Sequence, residues 1–253
     1  LIQSESGFVS ITGTPDEPVK AGLSIADIAA GMYAYTNILA ALMQRNIDGR
    51  GRRIDISMLE AMAEWMGYPL YYAYDGAAPP PRAGAAHATI YPYGPFPAGD
   101  GKSVMLGLQN EREWQQFCAR VLLQPALATD ERFVGNAKRS AHRDTLRTLI
   151  VEAFATLTAA QVAQRLEDAQ IANAQVNDMA GLWAHPQLAA RQRWREVATP
   201  AGPVPTLLPP GAGPGDEPRL DAVPALGQHT DAILAELGLE PAAIHRLRAA
   251  EAI

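Results

Sequence analysis

The chain has 253 residues, 48% of them hydrophobic and 19% charged. That length and composition exclude a disordered polypeptide and allow a real buried core. The net charge of −6 argues against a general nucleic-acid binder, because a phosphate backbone is met by a basic surface. No uninterrupted apolar run reaches the ~20 residues of a membrane span, so no membrane role is expected.

The first residues, "LIQSESGFVSITG", read as the middle of a folded structure, with Glu5 on an alternating extended segment. "LSIADIAAGMYAYTNILAALMQRNIDGRG" is the clearest helix. Ser24 and Asp27 have capping-box spacing. Ile25, Ile28, Met32, Tyr35, Leu39 and Leu42 recur every three or four residues and build one apolar face, and Gly49 and Gly51 end it. Ile54 and Ile56 then alternate as in a short strand. Ser57 and Glu60 open a second helix running into "YPLYYAYDG", an aromatic stripe expected to pack at the helix end. Helix, strand and helix in succession is α/β grammar.

"DGAAPPPRAGAAHATIYPYGPFPAGDG" breaks this pattern and reads as a linker or functional loop at a domain boundary. "GDGKSVMLGL" is a turn and a strand. Helices are expected at about 111–123, 141–157 and 159–169, the last with Thr158 and Gln161 as a capping box. "NAQVND" reads as a strand. "WREVATPAGPVPTLLPP" suits an edge strand or hairpin, and "PGAGPGDEP" an exposed loop. Thr230 is expected to cap one C-terminal helix, Gly238 to stop it, and Pro241 to open the final one.

No short catalytic motif is present, and the five histidines, 87, 142, 185, 229 and 245, are too scattered for a zinc site. Cys118, the only cysteine, sits in "EWQQFCARVLL" and reads as a buried core thiol. One cysteine also fits a reducing compartment, so a cytoplasmic location is expected.

Longer stretches say more. "VPALGQHTDAILAELGLEPAAIHRLRAAEAI", "ANAQVNDMAGLWAHPQLAARQRW", "AGLSIADIAAGMYAYTNILAALMQRNIDGRGRRIDISMLEAM" and "RAGAAHATIYPYGPFPAGDGKSVMLGL" resemble segments of the class III CoA-transferases, the CaiB/BaiF family. The resemblance implies a two-domain α/β fold: an incomplete large, Rossmann-like α/β domain and a smaller α+β domain. On this reading 1–80 is the remainder of the large domain, 81–204 the linker and small domain, and 205–253 the return to the large domain. It further implies an interlocked homodimer, acyl-CoA and small carboxylic acids as substrates, coenzyme A thioester as substrate rather than resident cofactor, and no metal. The nucleophilic aspartate of the family falls just before Leu1, so no catalytic residue is assigned within the chain and the chain alone is expected to be inactive.

The same resemblance places Gly84, Ala85, Ala86, His87, Ala88 and Thr89 where one branch of the family has a glycine run that closes over the substrate. Small side chains let backbone approach a ligand, and His87 adds a donor for a substrate carboxylate. The alternative for His87 is a loop histidine bonded to backbone. Glu5, Asp27 and His229 rank lower: Asp27 as a cap, His229 as part of a helix start. "RAGAAHATIYPYGPF" is more like the transferases for succinate-type acids than the oxalate enzyme. The alternatives are an α-methylacyl-CoA racemase of the same fold, whose loop here differs, and an inactive fragment.

Overall fold

A computed structural model describes residues 1–213 and 215–253. Pro214, in the stretch read as an exposed loop, lies outside the described residues. The chain forms two compact units, Leu1–Val176 and Asn177–Ile253.

The first unit starts with two single-turn helices, Ile2–Glu5 and Phe8–Ile11, where an extended segment was expected. Gly7, at φ 76°, turns the chain between them. The long helix Ile25–Asp48 follows. Ser24 stands at its N-cap, but its side chain makes no capping hydrogen bond, so the expected box with Asp27 does not form. Gly49, at φ 71°, closes the other end, its N–H donating to the Arg45 carbonyl.

This helix packs through small residues. Ala26 and Ala29 are buried against Ala61 and Met62. The larger apolar stripe faces outward: Ile28 is 49% exposed, Met32 57% and Tyr35 61%. By length and composition the helix is apolar enough to cross a membrane, which the absence of an unbroken apolar run had spoken against. Asp27, Thr36, Asn37 and Gln44 keep the sequence from reading as one run while its mean hydropathy stays high.

Residues 54–56 alternate, with Ile54 and Ile56 half-buried and Asp55 exposed, but they form no strand. The period is there; among the described residues no neighbouring strand completes the ladder. Ser57 then accepts from the Glu60 N–H at 3.3 Å and starts helix Met58–Trp65. The aromatic stripe continues as helix Gly67–Tyr72. Instead of packing, Tyr71 and Tyr74 are largely exposed, and Tyr68 meets Tyr72 edge-on.

A three-stranded antiparallel sheet forms the other half of this unit, in the order β1 (Tyr93–Pro97), β2 (Ser103–Gly107), β3 (Asn173–Gln175). β1 lies inside the stretch read as loop. Its prolines 95 and 97 disguise it, yet an edge strand tolerates them. Helices Arg143–Phe154 and Ala159–Asp168 belong to the same core, in which Phe96, Val104 and Leu106 of the sheet meet Leu146, Ile150, Phe154, Val162 and Leu166. Thr158 and Gln161 make the full reciprocal capping box. The helix expected at about 141–157 is observed as Arg143–Phe154, and a separate short helix, Asn136–Ala141, precedes it across His142. Helix Glu111–Gln116 widens into a π-helical turn, Phe117–Val121, closed by the Leu122 N–H on the Phe117 carbonyl. Cys118 in that turn is fully buried, and burial pushes its thiol up to about 12.

The second unit carries the β4 (Trp194–Val197) and β5 (Val204–Leu207) hairpin. The Trp183 and Trp194 rings stack at 4.4 Å. Arg193, 8% exposed, donates to the carbonyls of Leu208, Pro209 and Ala212 and ties the chain leaving β5 back to the start of β4. Helix Thr230–Glu236 has His229, not Thr230, at its N-cap, and Pro241 opens the last helix, Pro241–Ala249.

Candidate functional site

The segment Gly84–Thr89 runs from the helical half of the first unit onto β1, and it is held along its whole length. Just before it, Arg82 donates from Nε to the Thr14 carbonyl at 2.8 Å and from Nη2 to that of Pro15 at 2.7 Å. The Gly84 N–H donates to the Gly13 carbonyl at 2.7 Å, from a backbone at φ 61° that glycine adopts without strain. The Ala86 N–H donates to the Ala83 carbonyl at 3.0 Å and the His87 N–H to the Tyr93 carbonyl at 2.8 Å.

Ala86 lies directly on β1. A methyl group built at Gly94 would stand 2.9 Å from the Ala86 Cβ and 3.0 Å from its Cα. Glycine at 94 is therefore what allows the segment to lie against the strand. The far end is fastened by Asn136. Its Nδ2 donates to the Thr89 carbonyl at 2.8 Å, and its Oδ1 accepts from the Tyr91 N–H at 3.0 Å. These contacts make the segment a wall bolted to the β-sheet half.

His87 is half-buried, and its ring stacks on Tyr93 at 5.3 Å between centroids. Nδ1 accepts from the N–H groups of Thr89 and Ile90, each at 3.1 Å. The backbone-bonded reading of His87 is thus correct for one ring nitrogen. Nε2 has no hydrogen-bond partner among the described residues. Tyr93 also packs across Gly107 and borders a cavity of about 170 Å3 with Met105, Gln109 and Asn173.

Behind the wall sits Arg139, 2% exposed. It donates from Nε to the Tyr91 carbonyl at 3.1 Å and from Nη1 to that of Phe133 at 3.1 Å, and it pairs with Glu111 at 2.8 Å. Its guanidinium also lies 5.0 Å from the Trp114 ring centroid. The hydrogen bonds from Arg139 hold the Glu111 carboxyl below its ordinary range. Burial pushes the Tyr91 hydroxyl up to about 12, against the nearby charges of Arg147 and Arg143.

Of the sequence candidates, only Gly84–Thr89 are brought together. Glu5 is exposed on the first helical turn, Asp27 is exposed on the long helix, and His229 begins a helix of the second unit. The residues that hold the wall, Arg82, Gly94, Asn136 and Arg139, were not found from sequence. Lys138 and Arg139 in "NAKRSAHRD" look like a solvated helix face, and nothing local marks one of them as buried.

Residues 1–230 match the model of CoA-transferase family III. The chain is 31% identical over 240 residues to the succinate–glutarate CoA-transferase of Agrobacterium fabrum, a match covering 94% of this chain and 60% of that protein. It is 30% identical over 202 residues to the succinyl-CoA:mesaconate CoA-transferase of Haloarcula hispanica, covering 79% of this chain and 50% of that protein. Among solved structures, a CaiB/BaiF family protein from Brucella suis matches with a TM-score of 0.77 and 31% identity, over 93% of this chain and 61% of that one. The chain thus spans between half and about three-fifths of the length of these relatives. With mixed helix and sheet in the CaiB/BaiF arrangement and a family match along most of its length, the chain belongs to CoA-transferase family III.

Proposed function

We propose that the protein containing this chain moves CoA between an acyl-CoA of the succinyl type and a small dicarboxylic acid. The observation that carries this reading is the naming of relatives at 30–31% identity as CoA-transferases of succinate, glutarate and mesaconate. In the proposed reaction an aspartate carboxylate, expected to lie before Leu1, attacks the donor thioester. A mixed anhydride forms and CoA leaves as the thiolate. The thiolate attacks the aspartyl carbonyl of the anhydride, which releases the donor acid and leaves an aspartyl-CoA thioester. The acceptor carboxylate attacks that thioester, and the freed thiolate then takes the acyl group of the second anhydride. One thioester is exchanged for another, and covalent catalysis divides the transfer into easier steps.

Both anhydrides and the enzyme thioester are open to hydrolysis, so the site must hold substrate while excluding water. The segment Gly84–Thr89 is assigned that part: small side chains bring backbone close to the reacting groups, and its anchors keep the surface fixed. The division at residues 80 and 204, the interlocked homodimer and a cytoplasmic location belong to the same proposal, as does the absence of a resident cofactor, a metal, a nucleic-acid partner or a membrane role. The outward stripe of helix Ile25–Asp48 is accordingly assigned to contact with protein. These 253 residues by themselves are expected to show no transfer.

The test is the complete protein incubated with succinyl-CoA and glutarate. Glutaryl-CoA and free succinate should form in equal amounts, and intact-protein mass should show one CoA added through a thioester that hydroxylamine removes. Exchange of the α-proton of a 2-methylacyl-CoA in D2O, with no CoA transfer, would favour racemase chemistry and end this reading.

A further inference from the structure

We propose that His87 is locked as its Nε2–H tautomer and donates that proton in a hydrogen bond to the acceptor acid's non-reacting carboxylate, taking no part in proton transfer. The ligand in this proposal rests on the CoA-transferase reading above; the tautomer does not.

The argument starts at Nδ1. An imidazole nitrogen that accepts a hydrogen bond does so with its lone pair and carries no proton. Nδ1 accepts two, from the Thr89 and Ile90 N–H groups, both at 3.1 Å. The neutral ring must then carry its proton on Nε2. Protonating Nδ1 would turn it toward two N–H donors and forfeit both bonds. Nε2, already protonated, has no lone pair to take a substrate proton. A half-turn of the ring would keep its stack on Tyr93 but put Cδ2 in place of Nδ1 and forfeit both bonds, and the backbone N–H of His87 is committed to the Tyr93 carbonyl at 2.8 Å.

What remains is a single directed donor. Nε2 has no partner among the described residues, on a half-buried ring stacked on Tyr93. A dicarboxylic acid reacts through one carboxylate and brings a second that needs a donor. A neutral N–H held in one direction can meet it without the desolvation of a full positive charge. A general acid–base histidine would need a nitrogen free to gain and lose a proton, and this ring offers none.

The experiment uses the complete protein with 15N-labelled histidine. Long-range 1H–15N correlation should show the neutral His87 ring as the Nε2–H tautomer, with its Nε2 signal moving when glutarate is added. An Nδ1–H tautomer would overturn the proposal. His87→Asn supplies the second arm. Asparagine naturally accepts from the N–H two residues on, so it keeps the inner bond and removes the outer donor. It should raise the glutarate KM by about tenfold or more, with little change in the succinyl-CoA KM, whereas His87→Phe should also lower the melting temperature. A wild-type glutarate KM in His87→Asn would refute the donation. If the wild-type protein transfers CoA to no dicarboxylate, the ligand is wrong, while the tautomer measurement still decides the locked ring.

Discussion

Gly94→Ala tests whether the candidate segment is a wall or a flap. The added methyl would lie 2.9 Å from the Ala86 Cβ and 3.0 Å from its Cα. Carbon atoms pack at about 3.5–4.0 Å, so the shortfall is roughly 0.6–1.1 Å. A flexible side-chain tip would move aside, but the second of these atoms belongs to the backbone. It is also held, through the Gly84 bond to Gly13 on one side and the His87 bond to Tyr93 on the other. Overpacking a fixed surface of this kind costs about 1–3 kcal/mol. Urea unfolding of wild type and variant measures it directly. Ala86→Gly in the variant background removes the clash between the two methyl groups and leaves the clash with the backbone. It should therefore restore part of the loss, and a double-mutant cycle should give a coupling beyond additivity. In the complete protein, free CoA released per acyl-CoA formed should rise with the displacement. A Gly94→Ala variant within about 0.5 kcal/mol of wild type, uncoupled to Ala86, would mean that the segment yields freely, and the wall would be refuted.

Arg139→Ala should cost about 2–5 kcal/mol, because it leaves the Tyr91 and Phe133 carbonyls without their donor while Glu111, whose side chain is 55% exposed, regains water. The Glu111 carboxyl is held low by that arginine, so its contribution to stability is present above the ordinary glutamate pKa and lost as pH falls through the lowered folded value. Denaturant midpoints measured down through the acid range should therefore fall less steeply in Arg139→Ala than in wild type, and parallel curves would exclude the linkage. Cys118 should resist a thiol reagent in the folded protein at pH 8 and react at once in denaturant, since its thiol is fully buried and pushed up to about 12; labelling at the rate of a free thiol would show that the π-helical turn opens readily.

What could be read beforehand follows the range of the interactions. Thr158 and Gln161 are three residues apart, and their capping box is legible because both partners lie in one turn. The alternation at Ile54 and Ile56 was legible too, but a strand is a property of two segments, and no second segment pairs with it among the described residues. The stripe from Ile28 to Leu42 predicted an apolar face without saying what covers it, and here it faces outward. β1 was hidden because proline content speaks against strands and says nothing of edges. The candidate segment was located through resemblance and small side chains. Its supports were not, because Asn136 reaches Thr89 across 47 positions and Arg139 reaches Tyr91 across 48. No periodicity spans such a distance.

The Asn136 bridge also bears on protein engineering. Exchanging substrate preference between relatives by transplanting residues 84–89 alone would move a surface away from the parts that shape it. Thr89 and Tyr91 take their positions from the side chain of Asn136, Ala86 from the missing methyl at Gly94, and the His87 ring from Tyr93. The transferable module is a discontinuous one, comprising the segment, the first two residues of β1 and one asparagine 45 positions beyond Tyr91. Chimeras drawn at sequence boundaries would cut through it, whereas a graft carrying these three pieces together preserves the contacts that fix the surface.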